Sequence, residues 1–292
     1  MKVYYEGIPV DIANFIHAHP GGPDLLYEHE ELEIKEVFEE YHHSDAALQM
    51  LKDMMNTKDE SVDVGYSDIV DMKLPLLPQL FNLNKEQYLR LIHNPQHLES
   101  SVRLFKSDVL EMFGRTYWFV VPLIWVPVLL FALTQSPFSI QFTFFLYSIG
   151  FVLWSLLEYC LHRFVFHCDL YLPDNRYCIV AHYLLHGIHH LHPMDSLRLV
   201  MPPILTLLYT VILISIFSLI IPFPYIYGLY AGTATGYVLY DVTHYWLHHL
   251  NWENSHFLFL KSYHLKHHYK DPAKGFGITS TVWDQVFHTE IK

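Results

Sequence analysis

The sequence predicts a mostly α protein: an integral membrane domain of four transmembrane helices carrying a histidine-rich helical cap on its cytosolic side, preceded by a small α+β module. Three observations predict it. Of 292 residues, 52% are hydrophobic and only 16% charged, against about 25% charged in ordinary soluble domains. Charge-poor apolar runs fall in two pairs, and the 22 histidines cluster just past their ends. The formal charge of −12, from 30 acidic and 18 basic residues, excludes nucleic acid as a partner, because a phosphate backbone is held by clustered Lys and Arg. The three cysteines, Cys160, Cys168 and Cys178, have no paired spacing and form no disulfide framework. They read as small packing residues.

Residues 1–58 form the first segment, acidic and soluble in character. Its opening, "MKVYYEGIPVDIANFIHAHPGG", has no apolar core long enough for a signal peptide, so membrane entry is expected through internal spans. "HPGG" (19–22) is a turn-forming quartet. His43 follows His19 by 24 residues, with His42 beside it as an alternative. Residues 59–110 hold most of a polar linker, "NTKDESVDVGYSD" (56–68), and proline-punctuated amphipathic pieces up to Ser100. These pieces are expected along a membrane surface or packed on the later domain.

Residues 111–292 contain the spans. "YWFVVPLIWVPVLLFALTQ" (117–135) is uncharged and about the length that crosses ~30 Å of hydrocarbon. Residues 136–160 form the second, with Glu158 at its far end; 199–223 form the third. The fourth, 224–247, is rich in small residues that suit close helix packing. Short uncharged joints near Ser136-Pro137 and Pro222–Pro224 make each pair a hairpin. Both termini then lie on one side with Arg163, Arg176, Arg198, Lys261, Lys266, Lys270 and Lys274, which the positive-inside rule makes cytosolic.

The histidines follow the spans. "HRFVFH" supplies His162 and His167, "HGIHH" His186, His189 and His190, "HYWLH" His244 and His248, and "HLKHH" His264, His267 and His268. All four groups emerge on one membrane face. Residues three and four apart share a helix face, so the second, third and fourth groups can each point together. His162 and His167 are five apart, which requires the helix end to unwind or the two to serve different ions. Imidazole suits Fe, Zn, Cu and Ni. Ten imidazoles exceed one tetrahedral ion and suit two metal ions with about five nitrogens each. Asp241, Glu158 and Asp195 are candidates to orient the ring N–H groups. His182, His192, His249, His256 and His288 are expected to be structural or supporting, and His93 and His97 to lie at the surface.

The order HxxxxH, HxxHH, HxxxH, HxxHH across four spans resembles the fatty acid hydroxylase superfamily of membrane di-metal enzymes. The flanks "LLHGIHHLHPMDSLRLVMPP", "GYVLYDVTHYWLHH" and "KSYHLKHHYKDPAKGFGITSTVWDQVFHT", with "IWVP" and "WSLLEYCLHRFVFH", are similar to the fatty acid 2-hydroxylases of sphingolipid synthesis. The likeness runs from about residue 70 onward. "HPGG" with His43 in register resembles cytochrome b5, although the usual leading helix is absent and "EELEI" (30–34) is bulky where a small-residue turn is expected. That resemblance implies haem b held by His19 and His43, lined by Phe15, Leu25, Leu26, Phe38 and Leu48.

The resemblance implies hydroxylation of C2 of a long-chain acyl substrate with O2, at an endoplasmic reticulum membrane. A cytochrome b5 reductase-type donor feeds the haem. The acidic run Glu28, Glu30, Glu31, Glu33, Glu36, Glu39 and Glu40 is suited to a basic partner. Iron is expected for activity, while zinc occupying the same ten-histidine site would give no redox chemistry. Tyr240 and Tyr245 stand beside the ligands, as headgroup contacts or as interfacial belt residues. Membrane desaturases and sterol C4-methyl oxidases share such histidine spacing. A metal transporter would instead place its ligands at mid-membrane.

Overall fold

The computed structural model describes residues 1–292 apart from 17, 18, 20, 22, 42, 44, 57–68, 97, 99, 251, 253 and 292. His42, His97 and nearly all of the expected linker therefore lie outside the described residues.

The N-terminal module opens on a hairpin, β1 (Lys2–Tyr5) antiparallel to β2 (Ile8–Asp11), with Val3 opposite Val10. Glu6 and Gly7 turn the chain at positive φ, the geometry of a two-residue hairpin loop. The Glu33 carboxylate accepts from both of their N–H groups. Three helices follow: α1 (Pro23–Tyr27), α2 (Lys35–Glu40) and α3 (Asp45–Asn56). The core is small: Val3, Tyr5, Val10, Ile12, Ile16 and Leu51. Neither α1 nor α2 buries a residue of its own.

The amphipathic pieces become α4 (Leu76–Leu80) and α5 (Lys85–Ile92), the latter begun by an Asn84–Gln87 capping box. They are packed on the later domain. Leu76, Leu80, Tyr88, Leu91 and Ile92 share one core with Ile179, Tyr183, Ile188 and Leu191. Then come α6 (Asp108–Gly114), α7 (Val120–Thr134), α8 (Ile140–Leu161), α9 (Arg176–His182), α10 (Ile188–Leu191), α11 (Pro203–Ser218), α12 (Phe223–His249), α13 (Ser255–Tyr269) and α14 (Val282–Phe287).

Only the helix starting at Ile140 is, among the described residues, both long and apolar enough to cross a membrane by itself. At 15 and 16 residues, α7 and α11 are shorter than the expected spans, because turns at 117–119, 135–139 and 219–222 consume their ends. Each extends only about 22–24 Å. The outward faces are nevertheless apolar along α7, α8 and α11: Phe131 is 65% exposed, Phe144 66% and Ile204 61%. The α12 helix packs along α8, with Gly232 so close that a methyl there would overlap the Tyr147 carbonyl.

Candidate metal centre

Two short π-helical segments place the first histidines. Residues 162–166 continue α8 with a wider turn, closed by His167 N–H donating to the His162 carbonyl at 3.0 Å. A wider turn brings residues five apart onto one face. Of the two outcomes the spacing left open, unwinding or separate ions, the helix end shows the first, as a local widening, a feature common at functional sites. A second such turn, 183–187, lies between α9 and α10 and carries His186.

The ten predicted histidines assemble into two groups of five. His162, His167, His186, His190 and His267 form one; His189, His244, His248, His264 and His268 form the other, with each group's nitrogens within 4.8 Å of one another. The two HxxHH motifs each split. The first and last histidines, one helical turn apart, join one group, and the middle one crosses to the other. The groups abut, with the rings of His190 and His268 4.4 Å apart.

The spacing fits metal ligation rather than hydrogen bonding. The Nε2 of His264 lies 2.9, 2.8 and 3.0 Å from the Nε2 atoms of His244, His248 and His268. In the other group, His186 Nε2 lies 3.2 and 3.1 Å from those of His162 and His190. One ring nitrogen carries one proton or one lone pair and cannot bond three neighbours. Ligands about 2.1 Å from a shared ion, at right angles, stand roughly 3 Å apart. Both nitrogens of His189 and the Nε2 of His267 are buried without a hydrogen-bond partner.

The rings are also kept neutral, as ligation requires. Burial first, then the neighbouring imidazoles, holds His186, His189, His190, His264 and His268 well below the ordinary histidine range. His267 is pushed down to about 4, chiefly by burial and against the Lys274 carbonyl.

The rings of His162 and His267 are oriented by the backbone, not by the three predicted acids. The Nδ1–H of His162 donates to the Phe276 carbonyl and that of His267 to the Lys274 carbonyl, both at 2.6 Å. Gly275, between them, sits at φ 73°. Glu158 accepts instead from Ile278 N, Thr279 N and Thr279 Oγ1 at 3.0, 2.9 and 2.7 Å. Asp284, buried, accepts from Phe276 N, Gly277 N and Thr289 Oγ1. The two carboxylates clamp the loop whose carbonyls aim the rings. Asp241 holds Met201 N and Tyr237 Oη, and Asp195 holds Ser101 and Val102. Sequence reasoning missed Asp284, Gly275 and Asp169, whose carboxylate lies 3.9 Å from His167 Nδ1. A short acid spacing after the first box was the available signal for Asp169; a backbone carbonyl has none.

The other histidines among the described residues join neither group. His182 is structural: its Nε2–H donates to the Phe166 carbonyl and Tyr88 donates to its Nδ1. His249 packs against Tyr245, and His93 pairs with Asp169 at 3.1 Å. The cysteines are free and half-buried.

An apolar cavity of about 160 Å³ reaches the groups at His186, His189 and His244. It passes Trp125, Trp154, Tyr240 and Asp241 and follows α11 from Thr206 to Phe217 and on to Ile221. That stretch of α11 is about 17 Å long. Tyr240 is buried with its ring against His244.

The second predicted pair also meets. The rings of His19 and His43 have centroids 6.2 Å apart and are inclined by 28°. Imidazoles gripping one iron from opposite sides, with metal–nitrogen distances of about 2.0–2.1 Å, have centroids roughly 6 Å apart. The Nδ1–H of His43 donates to the Phe38 carbonyl at 2.8 Å, which leaves its Nε2 as the ligand atom. Phe15, Leu25, Leu26 and Phe38 line the adjoining cavity as expected; Leu48 packs against the hairpin core instead.

With this geometry established, the comparisons are specific. The fatty acid hydroxylase family model matches residues 147–289. The chain is 36% identical to a ceramide very long chain fatty acid hydroxylase of Schizosaccharomyces pombe, over 98% of this chain and 92% of that protein. It is 42% identical to a dihydroceramide fatty acyl 2-hydroxylase of Arabidopsis thaliana, over 75% of this chain and 92% of the relative. A solved structure described as full-length scs7p with only its hydroxylase domain visible superposes with a TM-score of 0.73 at 39% identity, covering 76% of this chain and 86% of that one.

Proposed function

This chain belongs to the fatty acid hydroxylase family, and on that premise we propose that it hydroxylates C2 of long-chain fatty acyl groups destined for sphingolipids, using O2 and two electrons. One observation carries the reading: the apolar cavity opens onto three histidines, at least one from each five-membered group. An acyl tail laid along α11 has its carboxyl end at the histidines, and C2 is the methylene beside that end. Trp125, Trp154 and the α11 side chains exclude water from the tail. Tyr240, where the cavity meets His244, is placed to orient the polar end.

The ten histidines hold two metal ions, and Glu158 and Asp284, through the Lys274–Thr279 loop, keep His162 and His267 aimed. Iron in these positions supplies O2 activation; zinc on the same nitrogens supplies none. His19 and His43 would hold haem b, which would carry single electrons from a cytochrome b5 reductase-type partner. The four helices α7, α8, α11 and α12 cross the endoplasmic reticulum membrane, with the termini and the metal centre cytosolic. The exposed apolar faces of the helices support this placement, as do the basic residues confined to the histidine-bearing end.

The test is lipid profiling of a cell lacking its own hydroxylase and expressing this chain, fed a saturated acyl chain. Gain of one oxygen at C2, abolished by His186→Ala, is expected. Loss of two hydrogens would make the protein a desaturase, and metal flux without an oxygenated product would make it a transporter.

A further inference from the structure

The α13 helix faces two ways. On one side His264, His267 and His268 enter the metal groups. On the other, Leu258, Lys261, Leu265, Lys266 and Tyr269 line a cavity of about 600 Å³ whose far wall is the N-terminal module, with His19 and His43 on it. That volume is within the range of cofactor-sized pockets, about 300–1,000 Å³. The module alone does not enclose it.

Lys261 is the telling residue. It is 6% exposed, and its ammonium donates to the Leu250 carbonyl at 2.9 Å. No carboxylate pairs with it among the described residues. A buried cation without a counter-charge is costly, so its place on the cavity wall calls for an anionic ligand. Lys266 and Lys270, both exposed, stand on the same wall. Haem carries two carboxylates beyond the porphyrin ring.

We propose that α13 is the closing wall of the haem pocket and the docking face of the N-terminal module, with Lys261 the buried counter-charge to a haem carboxylate and Lys266 and Lys270 its exposed companions. This rests on the haem reading above. Its consequence is geometric: one helix, α13, carries both the haem-facing and the metal-facing side chains.

The test uses the full-length, haem-loaded protein in detergent and reads the haem itself. A Soret band lost in His19→Ala supports the haem reading; a wild-type protein without that band overturns both readings. Positive charge favours the reduced haem, so Lys261→Met shifts the midpoint potential negative and speeds haem loss to apomyoglobin about tenfold, while Lys261→Arg restores both. The double substitution Lys266→Glu/Lys270→Glu, on exposed positions that do not threaten folding, shifts the potential the same way. Potentials and loss rates equal to wild type in both Lys261→Met and the double variant, with the Soret band intact, would overturn the docking alone.

Discussion

The molecule holds two sets of facing imidazoles in contrasting ways. In the two five-histidine groups the rings are buried, and two of them are aimed from outside: carbonyls stand at 2.6 Å behind His162 and His267, with two buried carboxylates behind that loop. In the N-terminal module, His19 and His43 are half-buried between short helices, two of which bury nothing. The Phe38 carbonyl stands behind His43, at 2.8 Å. The first site is preorganised by the fold; the second, on the haem reading proposed above, would depend on its ligand and on α13 for closure. A carrier needs to hold only a haem, whereas oxygen chemistry needs ions fixed relative to a substrate carbon.

The sharpest separation comes from one histidine in each region. His264→Ala removes the nitrogen that meets three others in its group. Hydroxylation is expected to fall by more than about 100-fold, beyond what loss of an outer partner costs, and metal per chain to drop by elemental analysis. His19→Ala is expected to abolish reductase-driven turnover yet leave metal content at the wild-type value and activity restorable by a chemical reductant. Loss of metal in His19→Ala would erase the distinction between the regions.

The clamp is the next test. Asp284→Ala strands two backbone N–H groups and the Thr289 hydroxyl in a buried place. Stability should fall by on the order of 3 kcal/mol, seen in chemical denaturation, and metal affinity by about 10–100-fold, seen in competition with a chelator. The haem band should not change. Glu158→Gln keeps the shape and an acceptor and should cost less than Asp284→Ala in both measurements.

Acid should separate the regions more gently. His267 is held at about 4 in the fold, against an ordinary value of about 6.5. Between those values the unfolded chain binds a proton that the fold refuses, so stability rises with pH there. Metal-depleted protein should therefore hold its full stability above pH ~6.5 and lose it progressively toward pH ~4. The other buried rings, lowered in the same direction, extend the loss to lower pH. Thermal melts of metal-depleted protein at several pH values check this; a flat profile would mean the rings are hydrated.

Much of this contrast was legible in the sequence, and its gaps have physical causes. Spacings of three and four marked eight of the ten histidines, since those intervals are set by the helix itself. The partition was not legible: His189 and His267 cross to the opposite group because neighbouring helices gather the other four histidines of that group there, and that is tertiary. A spacing of five between His162 and His167 is awkward for an α-helix and natural for the wider turn observed. Glu158 was found but its targets were not, and Asp284 was missed. Glu158 reaches a loop about 120 positions away, and the groups it aims are carbonyls, which carry no residue identity. In the N-terminal module, HPGG and the 24-residue interval to His43 identified the pair, while the contribution of α13 required the assembled fold. The four-span pattern was read from hydropathy, which does not register the turns that shorten α7 and α11.

The smallest expected effect compares two glycines with nearly the same backbone. Gly7, in the hairpin, has φ 75° and nothing within 4 Å of where a Cβ would stand. Gly275, between the carbonyls that aim His162 and His267, has φ 73°, and a Cβ there would lie 2.6 Å from Ile291 Cδ1. Alanine at either site bears the same backbone strain, about 1 kcal/mol. At position 7 that is the whole cost, and haem binding should be unchanged. At position 275 the crowding against Ile291 must be relieved by moving the loop, which draws the Lys274 and Phe276 carbonyls off the two rings. Gly275→Ala should therefore lose about 1–2 kcal/mol more than Gly7→Ala, with a measurable drop in metal affinity. Equal losses in the two variants, with metal affinity unchanged, would show that the carbonyls are incidental and that the histidines need no aim beyond their helices.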